Sequence, residues 1–269
     1  MISVVMAVYN IGNMQILEDS VNSILNQTVT DIELIICDDF STDGTYEKLR
    51  ELAEKDSRIL LIRNEENMKA AFSRNRCIKL AKGDFIAIMD GDDISAPDRL
   101  EKQAKFLKTS SFDFVGSRGM YFNKTIGDMG DDFYPFYSEP QKKDFLITLP
   151  FLHASIMFRR EVFEKIPGYS NEKITVRNED YDMLIKMYSV GLKGANLNDT
   201  LYYYRTDNTT FKKRKYRYRF NETAVKWRGF YRCGLFPKGI IYALKPLIIG
   251  LLPVSLLEKI KKQYYKNKI

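Results

Sequence analysis

Acidic side chains stand together at two places in this sequence, each directly after a short apolar run. Asp38 and Asp39 end one run, and Asp90-Gly91-Asp92-Asp93 ends another. Carboxylates held close together repel one another and lose hydration, and a bound cation relieves both costs. Their hard oxygen ligands suit Mg²⁺ or Mn²⁺. The two clusters therefore predict a shared divalent-metal site, with capping of the next helix by Asp92 or Asp93 as the alternative.

The clusters lie within an alternation of apolar runs and amphipathic stretches that is typical of strands followed by helices. The runs are residues 3–9, 32–37, 59–63, 85–89 and 112–116. This alternation indicates an α/β fold with a mostly parallel sheet covered on both faces, and ligands of such sheets bind beyond the strand ends. Further along, residues 117–150 are interpreted as loops, 153–161 as a returning strand and 178–190 as a helix.

Several kinds of binding site are excluded because their motifs are absent from the sequence. No G-x-G-x-x-G follows the first strand and no G-x-x-x-x-G-K-[ST] occurs, which argues against a dinucleotide-binding fold and a P-loop. A single His and three Cys without C-x-x-C spacing exclude a His-based zinc site. The first strand instead ends in Tyr9, whose ring could pack on a nucleobase or serve ordinary packing.

Charge divides the chain into two parts. Residues 1–204 carry 25 Lys+Arg and 32 Asp+Glu, whereas residues 205–269 carry 17 Lys+Arg and three acidic residues. In the basic part, residues 211–220 mix cations with aromatic rings, and residues 239–257 are almost wholly apolar but contain Lys245, Pro246 and Pro253. Because prolines break a straight helix, a segment lying in the interface of an anionic membrane is favoured over one that spans it or packs only on protein. No nucleic-acid-binding motif accompanies the basic run, so nucleic acid is not expected as a partner.

The first residues, MISVVMAVYN, lack the basic and apolar regions of a secretory signal. Together with cysteines that suggest no disulfide framework, this predicts a protein of the reducing cytosol. Combined with the basic, apolar tail, it predicts a peripheral protein at the cytoplasmic face of the inner (plasma) membrane.

Five segments carry a resemblance to a known family. They are SVVMAVYN, ELIICDDFSTDGT, SRNRCIKLAKGDFIAIMDGDD with PDRL, HASIMFRR and NEDYDMLIKM. In this order, over about residues 1–205, the chain resembles family-2 glycosyltransferases. The resemblance implies the GT-A fold, a nucleotide-diphosphate sugar donor, a divalent metal and inversion at the anomeric carbon. It implies a catalytic domain at residues 1–205, with a nucleotide-sugar half (about 1–115) and an acceptor half (about 116–205), ahead of the membrane-associating region 206–269.

On the donor side, the resemblance assigns roles to residues that match the family's motifs. Tyr9 matches the residue beside the uracil, and Asp39 the carboxylate that accepts the uracil N3–H. Asp90 and Asp92 match the two aspartates of the DXD motif, the first near ribose and metal and the second a metal ligand at the diphosphate. The remaining two matches are Arg74, a basic residue near the donor, and His153, which either touches donor phosphate or acceptor or is structural.

On the acceptor side, Asp180 matches the family's catalytic base. Inversion in one displacement needs a carboxylate opposite the leaving group that takes the proton of the acceptor hydroxyl. Glu179 is the competing candidate and Asp182 a more distant one. A carboxylate at a helix N-terminus also has a plain structural interpretation, because the helix dipole favours it.

Two positions depart from the family pattern. Lys69 stands where relatives often have Gly, and the segment Tyr202–Arg205 is followed by Thr206 and Asp207 where relatives often have a His. The third part of the metal site is therefore open, with Asp207 as one candidate oxygen ligand.

These inferences predict a metal-dependent, inverting hexosyltransferase. Its donor is expected to be a UDP-sugar (UDP-Glc, UDP-Gal or an N-acetylated form). Its acceptor is expected to be a sugar on a polyprenyl diphosphate in bacterial O-antigen, capsule or other surface-polysaccharide biosynthesis. The alternatives are a nucleotidyltransferase that forms sugar nucleotides, whose Gly-rich, Arg-containing loop is missing at residues 9–13, and a non-catalytic, membrane-bound nucleotide-sugar binding protein.

Overall fold

The computed structural model of the chain describes residues 1–128, 136–206 and 216–251. Eight strands in these residues form one sheet: β1 (Ile2–Val8), β2 (Ile32–Asp38), β3 (Ile59–Arg63), β4 (Phe85–Asp90), β5 (Ile94–Ser95), β6 (Phe114–Phe122), β7 (Met157–Arg159) and β8 (Gly194–Arg205). Across the sheet they follow the order β3-β2-β1-β4-β7-β6-β8-β5.

The first half of the sheet, β3-β2-β1-β4, is wholly parallel. Val8 pairs with Asp38 and Ala7 with Asp90, so the carboxyl ends of β1, β2 and β4 lie at one edge. Alternate side chains enter opposite cores: Val5 packs into one and Val4 into the other, both fully buried. Both acidic clusters therefore reach the same edge of the sheet, as the alternation of runs predicts.

The second half of the sheet departs from the sequence interpretation. β7 runs antiparallel between β4 and β6, and β8 runs parallel to β6 with a register shift near Arg118. Residues 117–122, interpreted as loop, extend β6. Of the strand predicted at 153–161, only Met157–Arg159 is extended, because His153–Ser155 form a 3₁₀ turn. These strands mix polar and aromatic residues, so their extended structure depends on pairing with distant neighbours rather than on an apolar run.

Helices cover both faces of the sheet. In the described residues they are α1 (Met14–Leu25), α2 (Thr45–Lys55), α3 (Ala70–Leu80), α4 (Arg99–Thr109), α5 (Val162–Lys165), α6 (Glu179–Ser189), α7 (Arg217–Arg232) and α8 (Gly239–Ile249). α1, α2 and α4 contribute to one core, and α3, α6 and α7 to the other. The two-sided cover confirms the predicted α/β class.

Helices α7 and α8, the last two in the described residues, pack on the body of the protein. Gly229 of α7 lies so close to Ile185 of α6 that an added Cβ would come within 2.7 Å of it. Arg228 Nη2 lies 2.7 Å from Oδ1 of the buried Asp182, and Ala243 of α8 is fully buried. No helix in the described parts of the chain is long and apolar enough to cross a membrane. Residues 207–215, which include the basic positions 212–215, and all residues from 252 onward, including Pro253, lie outside the described residues.

Candidate functional site

The loops that follow β1 and β2 are tied to each other at the carboxyl edge of the sheet. The N–H of Asn10 donates to Ser41 Oγ at 3.0 Å, and the N–H of Asp39 donates to the carbonyl of Val8 at 2.8 Å. Tyr9 and Asp39 therefore stand at adjacent strand ends. Tyr9 is 48% exposed, which leaves its ring available to a ligand.

Asp38 stabilises the protein and is not presented to a ligand. Its carboxylate is fully buried. It lies 3.1 Å from Arg63 Nε and accepts the N–H of Ser41 at 3.1 Å. It therefore anchors β3 and the loop after β2.

Asp39 fixes the loop before α3 by three hydrogen bonds. Its Oδ1 accepts from Asn64 Nδ2 at 2.6 Å and from the N–H of Met68 at 2.8 Å, and its Oδ2 accepts from the N–H of Lys69 at 2.9 Å. A carboxylate offers about four lone-pair positions. One position therefore remains for a further donor, such as the uracil N3–H, and this role stays a prediction.

Asp90, the last residue of β4, forms an ion pair with Arg74 of α3. Arg74 Nη2 lies 2.6 Å from Asp90 Oδ1. Burial opposes the charge on both groups, yet their attraction keeps the pKa of Asp90 below its ordinary value and the pKa of Arg74 above it. The Nε of Arg74 is buried without a hydrogen-bond partner in the described residues. An unpaired buried N–H is costly, so Arg74 retains capacity to bind an anionic ligand.

Asp92 and Asp93 have different surroundings. Asp93 is buried and accepts hydrogen bonds from the Tyr202 hydroxyl at 2.8 Å and the N–H of Arg205 at 2.7 Å, so it fixes the end of β8. Asp92 is exposed to solvent, yet desolvation by the atoms packed around its carboxylate, together with the charge of Asp90, raises its pKa to about 6. The N-cap of α4 is Asp98, so the interpretation of Asp92 or Asp93 as a helix cap is wrong.

Asp90 and Asp92 are the pair of carboxylates that could hold a divalent cation. The raised pKa of Asp92 indicates a carboxylate that lacks sufficient positive charge nearby, and its oxygens fit Mg²⁺ or Mn²⁺. The described residues contain no group of three or more His, Cys, Asp or Glu placed to hold a metal. These two carboxylates would therefore share the ion with ligand oxygens and water. Asp207 lies outside the described residues.

His153 is buried against Tyr169, a residue that belongs to none of the sequence motifs. His153 Nε2 lies 2.7 Å from the Tyr169 hydroxyl oxygen. Asn75 of α3 holds the main chain of Tyr169 from both sides: its Nδ2 donates to the Tyr169 carbonyl and its Oδ1 accepts the Tyr169 N–H, each at 2.8 Å. The guanidinium of Arg74 lies 5.7 Å from the centre of the Tyr169 ring. Tyr169 therefore connects α3 with the turn that carries His153.

Gly168→Ala is expected to destabilise the protein more than Gly191→Ala. Both glycines have a left-handed backbone, with φ of 90° and 89°, which costs an L-residue about 1–2 kcal/mol. An added Cβ at Gly168 would also overlap Asn75 Oδ1, whereas nothing lies within 4 Å of one at Gly191. Urea unfolding should show at least about 1 kcal/mol of additional loss for Gly168→Ala. Equal losses would contradict the close contact between Asn75 and the turn before Tyr169.

Asp180 lies at the N-terminus of α6, and its Oδ1 accepts the N–H of Tyr181 at 2.7 Å. Burial, opposed by Arg74 and reinforced by Asp90, Asp180 and Glu179, raises the pKa of the Tyr169 hydroxyl above its usual range. Because charges from both places act on this one hydroxyl, the N-terminus of α6 lies near the Arg74–Asp90 pair, and we refer to the region between them as the cleft.

Asp182 is not presented to this cleft. It is buried on α6, and its carboxylate lies 2.7 Å from Arg228 and 2.5 Å from Lys186. A buried carboxylate held in two ion pairs is not free to contact an acceptor hydroxyl. This leaves Asp180 and Glu179 as the candidates for a base.

Left-handed backbone in residues other than glycine occurs, within the described residues, only around the candidate site. The four residues are Asn10, Phe40, Lys69 and Arg177, with φ of 46°, 64°, 74° and 66°. The first two follow Tyr9 and Asp39, Lys69 donates to Asp39, and Arg177 comes shortly before α6. Strained backbone of this kind concentrates at binding and catalytic sites and costs about 1–3 kcal/mol per residue. The departure at Lys69 is thus one of four strained positions around the cleft.

Comparisons with known sequences agree with one another. The sequence profile described as Glycosyl transferase family 2 matches residues 3–167. EpsE of Bacillus subtilis (strain 168), a glycosyltransferase by name, is 36% identical over 268 residues, which are 99% of this chain and 95% of that protein. The UDP-Glc:alpha-D-GlcNAc-diphosphoundecaprenol beta-1,3-glucosyltransferase WfaP of Escherichia coli is 31% identical over 206 residues, which are 76% of this chain and 77% of that protein.

Solved structures share the fold. TarS of S. aureus in complex with UDP-GlcNAc has a TM-score of 0.69 and 17% identity, over 91% of this chain and 72% of that chain. The mannosyltransferase PcManGT from Pyrobaculum calidifontis, in complex with GDP-Man and Mn²⁺, has a TM-score of 0.63 and 16% identity, over 100% of this chain and 80% of that chain. At this level of identity the likeness concerns the fold alone.

Proposed function

This chain belongs to glycosyl transferase family 2 and has the GT-A fold, and from that premise we propose a donor, an acceptor and a mechanism. The chain transfers a hexose from a UDP-sugar to an acceptor hydroxyl. The transfer is a single displacement that inverts the anomeric carbon.

The observation that carries this proposal is the cleft that Asp90 and Asp92 border on one side and Asp180 on the other. Tyr169 is close to both sides, since charges from both act on its hydroxyl. A donor bound on the first side presents its anomeric carbon to a hydroxyl that Asp180 deprotonates. Arg74 lies on the donor side and supplies positive charge for the diphosphate.

A divalent cation, Mn²⁺ or Mg²⁺, belongs to the proposal. Asp90 and Asp92 would hold it, and when bound it neutralises charge on the leaving diphosphate. Support comes from the raised pKa of Asp92 and from the Mn²⁺ in the PcManGT complex. Arg205 stands beside these carboxylates, with its Nε donating to the Asp92 carbonyl at 2.9 Å, and adds positive charge next to the donor phosphates.

Uridine is favoured as the donor nucleoside for two reasons. Tyr9 and Asp39 match the family positions at the uracil, and Asp39 keeps one acceptor position after its three hydrogen bonds to the protein. WfaP is named for UDP-Glc, and TarS was solved with UDP-GlcNAc. The GDP-Man in the PcManGT complex makes a guanine nucleotide the competing donor.

The acceptor we propose is a sugar on a polyprenyl diphosphate, in the assembly of a bacterial surface polysaccharide. WfaP is named for transfer to GlcNAc-diphosphoundecaprenol. The basic, apolar C-terminal part of this chain suits an acceptor that resides in a membrane, because Lys and Arg are attracted to anionic headgroups. We accordingly propose a peripheral location at the cytoplasmic face of the inner membrane.

An apolar stripe along α8 and the turn that follows it is the surface that we propose to rest on the membrane. Its residues recur at helical spacing and are exposed by 76%, 39%, 64% and 74%; they are Ile241, Leu244, Ile248 and Leu251. Exposed apolar residues in one continuous row mark interaction surfaces. Lys238 and Lys245 lie on or next to the same helix, where they can reach anionic headgroups.

The double variant Ile241→Asp/Ile248→Asp is expected to lose at least about tenfold in affinity for vesicles that contain anionic phosphatidylglycerol, because each charge must leave water to enter the interface. Vesicle co-sedimentation measures the loss, and activity on a short-chain, soluble acceptor should survive. Leu80→Asp, at an exposed apolar position of α3, is the matched control. Unchanged co-sedimentation of the double variant would contradict the proposed surface.

One assay tests the function as a whole. Purified protein is incubated with Mn²⁺ or Mg²⁺, a synthetic GlcNAc linked to a polyprenyl diphosphate, and a panel of UDP-Glc, UDP-Gal, UDP-GlcNAc, UDP-GalNAc and GDP-Man. Transfer from a UDP-sugar with inverted anomeric configuration in the product supports the proposal. Pyrophosphate release from UTP and a sugar 1-phosphate would instead indicate a nucleotidyltransferase, and binding without any turnover a non-catalytic protein.

A further inference from the structure

The hydrogen bond between His153 and Tyr169 determines which ring nitrogen of His153 carries a proton. Tyr169 is 4% exposed and His153 is 8% exposed, and the contact joins the hydroxyl oxygen to Nε2 at 2.7 Å. Within the described residues the Tyr169 hydroxyl makes no other hydrogen bond. A buried hydroxyl proton without an acceptor is costly. Nδ1 of His153 is not among the buried side-chain atoms that lack a partner in the described residues, so solvent reaches it and an N–H there does not carry the same cost. The hydroxyl therefore donates to Nε2.

A neutral imidazole that accepts at Nε2 carries its proton on Nδ1. Burial and the nearby charge of Arg74 lower the pKa of His153 to about 3, and Asp90, the other charge facing the ring, does not reverse this. His153 is therefore neutral near pH 7. Among the residues that the structure describes, its Nδ1–H has no hydrogen-bond partner.

His153 lies close to the residues that are proposed to bind the donor phosphates. The charges that act on the ring are those of Arg74 and Asp90, and these two side chains form the ion pair beside which the donor phosphates are proposed to bind. An uncharged N–H can hydrogen-bond a phosphate oxygen without adding repulsion against Arg74. Asn75, 94 residues earlier in the sequence, holds the main chain of Tyr169 by two hydrogen bonds. The Tyr169 hydroxyl is therefore already in place against His153 before a ligand binds, and the tautomer of His153 depends on this contact.

We propose that Tyr169 is a positioning residue that holds His153 in the Nδ1–H tautomer, and that His153 donates this N–H to an oxygen of the donor diphosphate. The second half rests on the proposed function, because it takes a nucleoside diphosphate sugar as the ligand. The first half concerns the protein without ligand.

The tautomer can be measured directly because His153 is the single histidine of the chain. In the full chain, labelled with ¹⁵N and prepared without a histidine tag, two-bond ¹H–¹⁵N correlation spectra should show Nδ1 protonated and Nε2 unprotonated. Tyr169→Phe should shift the equilibrium toward the Nε2–H tautomer. Tyr188→Phe is the control, since this buried hydroxyl donates to the Pro140 carbonyl instead. An Nε2–H tautomer in the wild type, or no change in Tyr169→Phe, would overturn the assignment.

The ligand contact is tested by adding UDP or uridine, each with Mg²⁺, to the same labelled protein. UDP should shift the Nδ1 resonance and uridine should not, because only UDP brings phosphate oxygens. A shift of equal size with uridine, or no shift at saturating UDP, would overturn the contact to diphosphate. If UDP does not bind at all, the proposed function fails along with this contact, while the tautomer in the free protein still stands on its own spectrum.

Two substitutions separate this role from simple packing. His153→Asn places an amide N–H near the former Nδ1, and His153→Gln places one near the former Nε2. We expect kcat/KM to fall about tenfold or less in His153→Asn and about 10²-fold or more in His153→Gln, as for a lost donor at a developing anion. Losses of equal size would indicate a structural residue and overturn the proposed hydrogen bond.

Discussion

Asp180→Asn is expected to lower kcat about 10³-fold while changing the Kd for UDP less than about threefold. The amide keeps the size of the side chain but cannot accept the proton of the acceptor hydroxyl. Asp180 lies on the α6 side of the cleft, away from the carboxylates at the donor end, so the nucleotide should bind as before. Initial rates at saturating donor and acceptor, together with calorimetric titration of UDP, measure the two quantities.

Glu179→Gln is the matched control, because it makes the same chemical change at the preceding position of the same helix. We expect its kcat to fall less than about tenfold. The reverse pattern, with Glu179→Gln inactive and Asp180→Asn active, would transfer the base to Glu179. Comparable activity in both variants would remove the carboxylate base from the proposed mechanism.

Asp92→Asn is expected to change activity and stability in opposite directions. It removes a proposed metal ligand, so kcat/KM should fall about 10²-fold or more. It also removes a carboxylate whose pKa is raised to about 6 by desolvation and by Asp90. A carboxylate with a raised pKa destabilises the folded state once it ionises, so the variant should be more stable than the wild type in the absence of metal.

The sign of the pH dependence follows from linkage. Because the folded protein holds the Asp92 proton more tightly than the unfolded chain, the stabilising contribution is present below about pH 4 and is lost as the pH rises through about 6. With EDTA, the advantage of Asp92→Asn should be absent at pH 4 and about 1 kcal/mol at pH 7.5, after allowance for solvent screening. Thermal unfolding measures it, with Glu66→Gln as an exposed control. A variant less stable than the wild type at pH 7.5 would contradict the repulsion between Asp90 and Asp92.

Metal and UDP together provide an independent check. They should raise the Tm of the wild type by binding the folded state and leave Asp92→Asn almost unchanged. An equal rise in both proteins would show that Asp92 is not needed to hold the ion.

The parallel half of the sheet was predictable because each of its strands can be recognised from its own few residues. β1, β2 and β4 are apolar runs that end in polar residues, and parallel packing brings those ends to one edge whatever the rest of the chain does. The DXD segment and the N-terminus of α6 were found for the same reason, since each is a short pattern read at one place. Their roles as metal ligands and base remain predictions.

The rest of the cleft depends on contacts between distant residues. β8 holds its register partly through Tyr202 and Arg205, whose hydroxyl and N–H bond to Asp93 more than a hundred residues earlier. Tyr169 reaches His153 because Asn75 forms hydrogen bonds with its main chain. No sequence pattern and no secondary-structure propensity indicates that these positions meet. The turn at Gly168 was the only local sign. A single sequence therefore does not reveal the side chains that reach a site from a loop through contacts with distant residues.

The docking of α7 on α6 has a consequence for the choice of acceptor. The Arg228–Asp182 pair and the tight approach of Gly229 to Ile185 join the two helices into one rigid unit, and α6 begins with Asp180. If α8 rests on a bilayer as proposed, that bilayer would lie at a fixed distance from Asp180, the proposed base. The distance of an acceptor hydroxyl from its lipid anchor depends on how many sugars the lipid already carries. The number of these sugars would therefore decide whether the acceptor can be extended.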